Sequence, residues 1–149
     1  MNSSNALKMV DSFTSTYVGI FGAFTKDGES SITSASALAP DGDSMSIVRF
    51  EIVDNAISDF INRKAFIESK QKRLDSMGKM QPFDYTYYYD ESFGRVLNFD
   101  LLGKTGGFLF YTAYREEVLV FIQAYSTTGK GQISELECKN IVEAAYNAI

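Results

Sequence analysis

RVLNFDLLG (Arg95–Gly103), FLFYTAYR (Phe108–Arg115) and VLVFIQAY (Val118–Tyr125) are three apolar alternating runs, and SELECKNIVEAAYNAI (Ser134–Ile149) follows at helical spacing. The turn signals Lys104-Thr105-Gly106-Gly107 and Arg115-Glu116-Glu117 separate the runs. A period near two that gives way once to a period near 3.6 predicts a β-meander closed by a helix, hence an α+β domain with helix packed on sheet. Ser134-Glu135-Leu136-Glu137 has the form of a capping box, and Cys138, Ile141, Val142, Ala145 and Ile149 mark the buried face of that last helix.

Working back towards the N-terminus, Glu91-Ser92-Phe93-Gly94 reads as a turn and Asp84–Tyr89 as a tyrosine-rich strand. Pro82 blocks any helix before it. Ala56–Met77 reads as a long helix with Asp54 or Asn55 as N-cap and Gly78 beyond its end. Its expected stripe is Ile57, Phe60, Ile61, Lys64, Ile67, Gln71 and Leu74, with Lys70, Lys72 and Arg73 opposing the dipole near the C-terminus. Before it come three expected strands, Tyr17–Phe24, Ser30–Leu38 and Met45–Val53. They are joined by the Asp27-Gly28 hairpin signal and by a turn at Pro40-Asp41-Gly42-Asp43. Leu7, Val10 and Phe13 are spaced for a short lead-in helix, and residues 1–5 read as a frayed end. No linker, repeat or low-complexity tract divides the 149 residues, which suit one domain. Residues 1–149 therefore read as a single α+β domain. Its antiparallel sheet of about six to seven strands packs with a long central helix and a C-terminal helix.

Nineteen acidic residues against fourteen basic ones give a net charge of −5, a poor electrostatic match for phosphate backbones, so nucleic acid is not an expected partner. No apolar run approaches the ~20 residues of a spanning helix, and the chain reads as soluble. Met1-Asn2-Ser3-Ser4-Asn5 carries no positive charge ahead of an apolar segment. The expected location is the cytoplasm, or the periplasm if an export signal has been trimmed.

The absence of histidine removes Ser-His-Asp and Cys-His nucleophilic sites, imidazole acid–base catalysis and histidine-ligated zinc together. Gly103-Lys104-Thr105 falls short of a phosphate loop, because Asn98 stands where the first glycine is needed and a strand follows. Asp27, Asp41 and Asp43 lack calcium-loop spacing and suit turns. Asp84, Asp90 and Glu91 could pair as glycosidase carboxylates, but nothing in the spacing converges them, and solvated strand ends account for them. Cys138, the single cysteine, reads as a packed small hydrophobe. No catalytic residue, cofactor or metal is expected.

Tyr85, Tyr87, Tyr88 and Tyr89 remain as the feature with functional content. Strand alternation would place Tyr85, Tyr87 and Tyr89 on one face and Tyr88 on the other, which forces some tyrosine towards solvent. Exposed tyrosines offer contact area at low rotamer entropy. They are the candidate binding residues, with Arg115, Glu116 and Glu117 as a polar rim.

Over roughly residues 30–149 the order of elements resembles the PsbP-like superfamily. The residues that carry it are Arg95–Gly103, Gly107–Arg115 with Tyr111 and Tyr114, Val118–Ser126 and the closing Ile141–Ala145 stripe. The pattern departs at Ser12–Phe24, where a short strand and a proline–aromatic pair would stand. That superfamily includes a photosystem II extrinsic subunit, a Ran-binding import factor, DcrB-like bacterial lipoproteins and secretion-effector chaperones. The resemblance implies a non-catalytic protein-binding module whose partner is another protein: a chaperone, adaptor or effector-immunity protein. The roadblock/longin type is a second fold that also sandwiches a sheet between helices and binds proteins. The alternative function is a carrier of a small or lipidic ligand held between the sheet and Ile57–Leu74, and the third is an enzyme using carboxylates alone.

Overall fold

Among the described residues seven strands form one antiparallel sheet: β1 (Thr25–Glu29), β2 (Ile32–Leu38), β3 (Ser44–Ile52), β4 (Gln81–Pro82), β5 (Glu91–Leu101), β6 (Lys104–Arg115) and β7 (Val118–Ser126). Their spatial order is β1-β2-β3-β7-β6-β5-β4. Among the described residues, the helices α1 (Ala56–Leu74) and α2 (Glu135–Asn147) and a helical stretch at residues 8–13 complete the α+β arrangement. The computed structural model describes residues 8–13, 15, 25–29, 32–38, 44–101, 104–126 and 133–149. The expected strand Tyr17–Phe24, the turn at Pro40–Asp43 and residues 1–5 lie outside the described residues.

The expected hairpin of the last two strands is present, with Arg115 opposite Val118 and Phe108 opposite Tyr125. Both faces of β7 are buried. Val118, Val120, Ile122 and Ala124 pack with Cys138, Ile141, Val142 and Ala145 of α2 and with Met9, Val10 and Phe13 of a helical stretch at residues 8–13. Leu119 and Phe121 pack on the opposite face with Ala56, Phe60 and Ile67 of α1. The sheet thus carries α1 on one face and α2 with the N-terminal helical stretch on the other. Continuous apolar runs in β6 and β7 follow from burial on both faces.

Local caps hold as read. Asn55 Oδ1 accepts from Ser58 N at 3.1 Å, and Ser134 Oγ accepts from Glu137 N at 3.1 Å. The stripe of α1 differs: Ala56, Phe60 and Ile67 are buried, while Ile57 and Ile61 are 56% and 58% exposed. Arg63 and Lys64 flank the buried line, their cations 5.0 Å from the Phe121 ring and 5.1 Å from the Phe93 ring, so long stems cover apolar surface that isoleucine was expected to cover. Ala144 of α2 and Ala148 at its C-cap are buried, while Ile149, expected on that face, is exposed.

Three expected turns are instead strand. Asp27 and Gly28 lie inside β1, with Asp27 opposite Ser34 and Gly28 opposite Thr33. Lys104-Thr105-Gly106-Gly107 opens β6, with Leu101 opposite Lys104. Glu91–Gly94 opens β5, with Glu91 opposite Tyr114. In each, sheet-wide register overrides local turn chemistry. Gly107 is there because the chain entering α2 passes over it: a Cβ would meet Ile133 N at 2.8 Å.

Cys138 is fully buried in the first half of α2, and burial above all, with Glu137 next, pushes its thiol up to about 12. Native protein is therefore expected to resist an aqueous thiol reagent and to react only when unfolded. Cys138→Ser is expected to cost about 1–3 kcal/mol, the penalty for a buried hydroxyl without a partner. Rapid stoichiometric labelling of folded protein would contradict this placement.

Candidate functional site

The tyrosine segment is a loop, which corrects the expected strand at Asp84–Tyr89. Ladder pairing ends at Pro82, which has no N–H to donate, and only Phe83 N still reaches Gly94 O, at 2.9 Å. Gly94 permits that approach, since a Cβ there would lie 2.6 Å from the Phe83 carbonyl oxygen. Beyond it, other groups satisfy the backbone. Tyr111 OH donates to Tyr85 O at 2.7 Å, and Tyr89 N donates to Thr86 O at 3.1 Å. The hydroxyls of Thr86 and Ser92 are 2.9 Å apart.

The chain reverses at Tyr87, whose φ of 53° is left-handed. A bulky residue there is held by its surroundings against local steric preference. The reversal separates the four tyrosines. Tyr85 and Tyr87 are half-buried, and Tyr89 is buried with its hydroxyl donating to Val142 O at 3.2 Å. Tyr88 is 67% exposed.

Tyr146 of α2, which sequence reasoning missed, joins them into one aromatic patch. Its ring lies 5.2 Å from Tyr87, 5.8 Å from Tyr88 and 5.2 Å from Tyr89, and Tyr87 and Tyr88 are 4.5 Å apart. Tyr146 sits beside the buried stripe of α2, on a flank shared with Lys139 and Glu143. That helical spacing was the available signal.

The turn Arg115-Glu116-Glu117 meets the same patch. Glu116 is also left-handed, with φ 53°, and its N–H donates to the Asp90 carboxylate at 2.8 Å. Arg115 places its guanidinium 5.2 Å from the Tyr146 ring. The structure therefore brings the two sets of candidate residues together. The acids considered for hydrolysis take separate roles: Asp90 binds Glu116 N, Glu91 accepts from Tyr114 OH at 3.1 Å, and Asp84 faces a cleft.

That cleft, about 430 Å³, lies between β5 and the start of α2. Phe83, Tyr85, Val96 and Ile133 give it apolar walls, and Asp84, Glu135 and Lys139 give it charge. The Asn98 side chain fixes one wall by donating to Ile133 O at 3.1 Å and accepting from Ile133 N at 3.0 Å. Lys139 pairs with Glu135 at 3.3 Å and stands 5.3 Å from the Tyr85 ring. Burial, and then the Glu143 carboxylate, raise the Tyr85 phenol above its ordinary value.

No protein-family model matches the chain, and no curated protein matches it. Among the described residues no helix is long and apolar enough to cross a membrane.

The phenols of Tyr89 and Tyr111 are raised well above their ordinary value of 10.0, in both cases chiefly by burial. An unfolded chain ionises these groups near pH 10, whereas the folded protein keeps them neutral. Their contribution to stability is complete below that pH and is lost as pH rises above it. Alkaline titration is expected to show tyrosinate absorbance from these two residues appearing together with loss of secondary structure, and ionisation in a still-folded protein would contradict their burial.

Proposed function

We propose that this domain is a non-catalytic protein-binding module of chaperone, adaptor or effector-immunity type, and that the patch of Tyr85, Tyr87, Tyr88 and Tyr146 with the Arg115 turn is its contact surface. The supporting observation is the strained loop that presents Tyr88 at 67% exposure against the rings of Tyr87 and Tyr146. A rigid aromatic anchor beside adaptable polar groups suits an interface hot spot. Kinship with the PsbP-like superfamily stays part of this proposal and rests on the sequence pattern alone.

Tyr88→Ala is expected to weaken binding to a partner recovered from the host by about 2 kcal/mol or more. Folding should be unchanged, because the side chain makes little buried contact. Titration of the purified partner, with a thermal melt alongside, measures both. Undiminished affinity would remove Tyr88 from the interface.

A second reading, a carrier of a small ligand, has the cleft in its favour. Its volume falls in the usual range for small-molecule sites. The cleft lies against α2, on the face of the sheet opposite α1, so Val96 and Ile133 are the positions to test for it.

A further inference from the structure

We propose that the partner presents a basic segment, with an arginine or lysine side chain lying in the cleft against Tyr85 between the carboxylates of Asp84, Glu135 and Glu143, while the neighbouring part of the segment rests on Tyr88. This rests on the protein-binding reading above and names the chemistry of the partner.

The surface already binds cations from its own chain. Lys139 stands over Tyr85 at 5.3 Å and Arg115 over Tyr146 at 5.2 Å, and the electron-rich ring faces are what attract them. Charge then selects among partners. Asp84 and Glu135 line the cleft and Glu143 lies beside the Tyr85 phenol, so three carboxylates stand against the one ammonium of Lys139. The whole chain carries −5, which favours approach of a basic partner at long range.

The cleft has few other recognition groups. Both ends of the Asn98 amide are engaged by Ile133, which leaves carboxylates and aromatic faces as the specific contacts. A guanidinium or ammonium group satisfies both kinds at once. Lys139 occupies the place the incoming cation would take, but its pair is exposed: the side chains of Lys139 and Glu135 are 38% and 76% accessible. Such surface pairs contribute little, so Lys139 swings out readily and leaves Glu135 to the newcomer.

A short fluorescent peptide of alternating arginine and glycine is the probe, with the glutamate–glycine peptide as its opposite, both followed by anisotropy. The arginine peptide is expected to bind wild-type protein. Neutralising the site with Glu135→Gln and Glu143→Gln together should weaken it roughly tenfold, as loss of charge-assisted contacts implies. Glu68→Gln together with Asp75→Asn, an equal charge change at exposed positions in and just after α1, should leave affinity unchanged. Lys139→Met should tighten binding, because it removes the resident competitor, whereas Lys72→Met on α1 should not.

Failure of the arginine peptide to bind, preference for the glutamate peptide, or an effect of the Glu68→Gln/Asp75→Asn control equal to that of the paired variant would each overturn the proposal. The native partner separates the two levels of inference. If Tyr88→Ala abolishes its binding and the Glu135→Gln/Glu143→Gln protein binds it normally, the module reading stands and the basic segment is rejected. Indifference to both rejects both.

Discussion

Arg63→Ala is expected to lower the free energy of unfolding by about 3–5 kcal/mol, the usual consequence of stranding one member of a buried ion pair. Glu51 points from β3 towards α1 and is only 5% exposed. Arg63 of α1 binds its carboxylate directly, and Arg49 contributes a longer contact of 3.7 Å from the same strand. Removing Arg63 leaves a desolvated carboxylate with Arg49 alone, whose side chain is 35% accessible and partly hydrated. It also removes the cation from the Phe121 ring and the stem from the gap beside α1. Arg63→Lys should recover only part of the loss, because an ammonium lacks the planar fork. Replacing both partners by leucine should recover more than either single change, since no charge is then left unpaired. Urea unfolding of the four proteins measures this. A loss below about 1 kcal/mol for Arg63→Ala would place the pair among weak surface bridges.

Gly94→Ala is expected to be the most damaging single methyl group that can be added near the tyrosine loop. The new Cβ would lie 2.6 Å from the Phe83 carbonyl oxygen and 2.9 Å from the Tyr111 ring. The first neighbour is backbone, tied to Gly94 through the Phe83 N–H, so it cannot rotate aside. Overpacking of this kind costs about 1–3 kcal/mol, with larger values where backbone must move. Because Tyr111 also holds the Tyr85 carbonyl, the shift would pass directly into the loop. Both a lowered unfolding midpoint and weakened partner binding are expected, whereas Tyr88→Ala should change binding alone. An unchanged melt would show that Phe83 does not pack on β5 as described.

Where burial and period agree, the chain announces its elements plainly. The β6–β7 hairpin, the capping boundary at Ser134 and the Asn55 cap follow from local residues, because each depends on contacts within a few positions. The turns at Asp27-Gly28 and Lys104–Gly107 did not, because strand register is set by neighbours that lie far away in sequence. The tyrosine segment was misread for a related reason. Four aromatic residues favour a strand by propensity, yet Pro82 ends the ladder and Tyr111, Ser92 and Val142 supply alternative hydrogen-bond partners. The juxtaposition of that loop with Arg115–Glu117 is a tertiary fact, made by Asp90 and by Tyr146, and no local pattern reveals it.

The pairing of β3 with β7 has a consequence for the order in which the molecule assembles. β5, β6 and β7 follow one another through two-residue links, so their contacts close short loops and can form early. The β1–β3 unit is made before the other strands of the sheet, but its only described neighbour there is the last strand, from Ser44 opposite Ser126 to Ile52 opposite Val118. Nothing made in between can complete that edge. The nascent chain therefore holds β3 paired only with β2, its other edge open, until β7 emerges, and docking of β3 on β7 is the step expected to limit the folding rate.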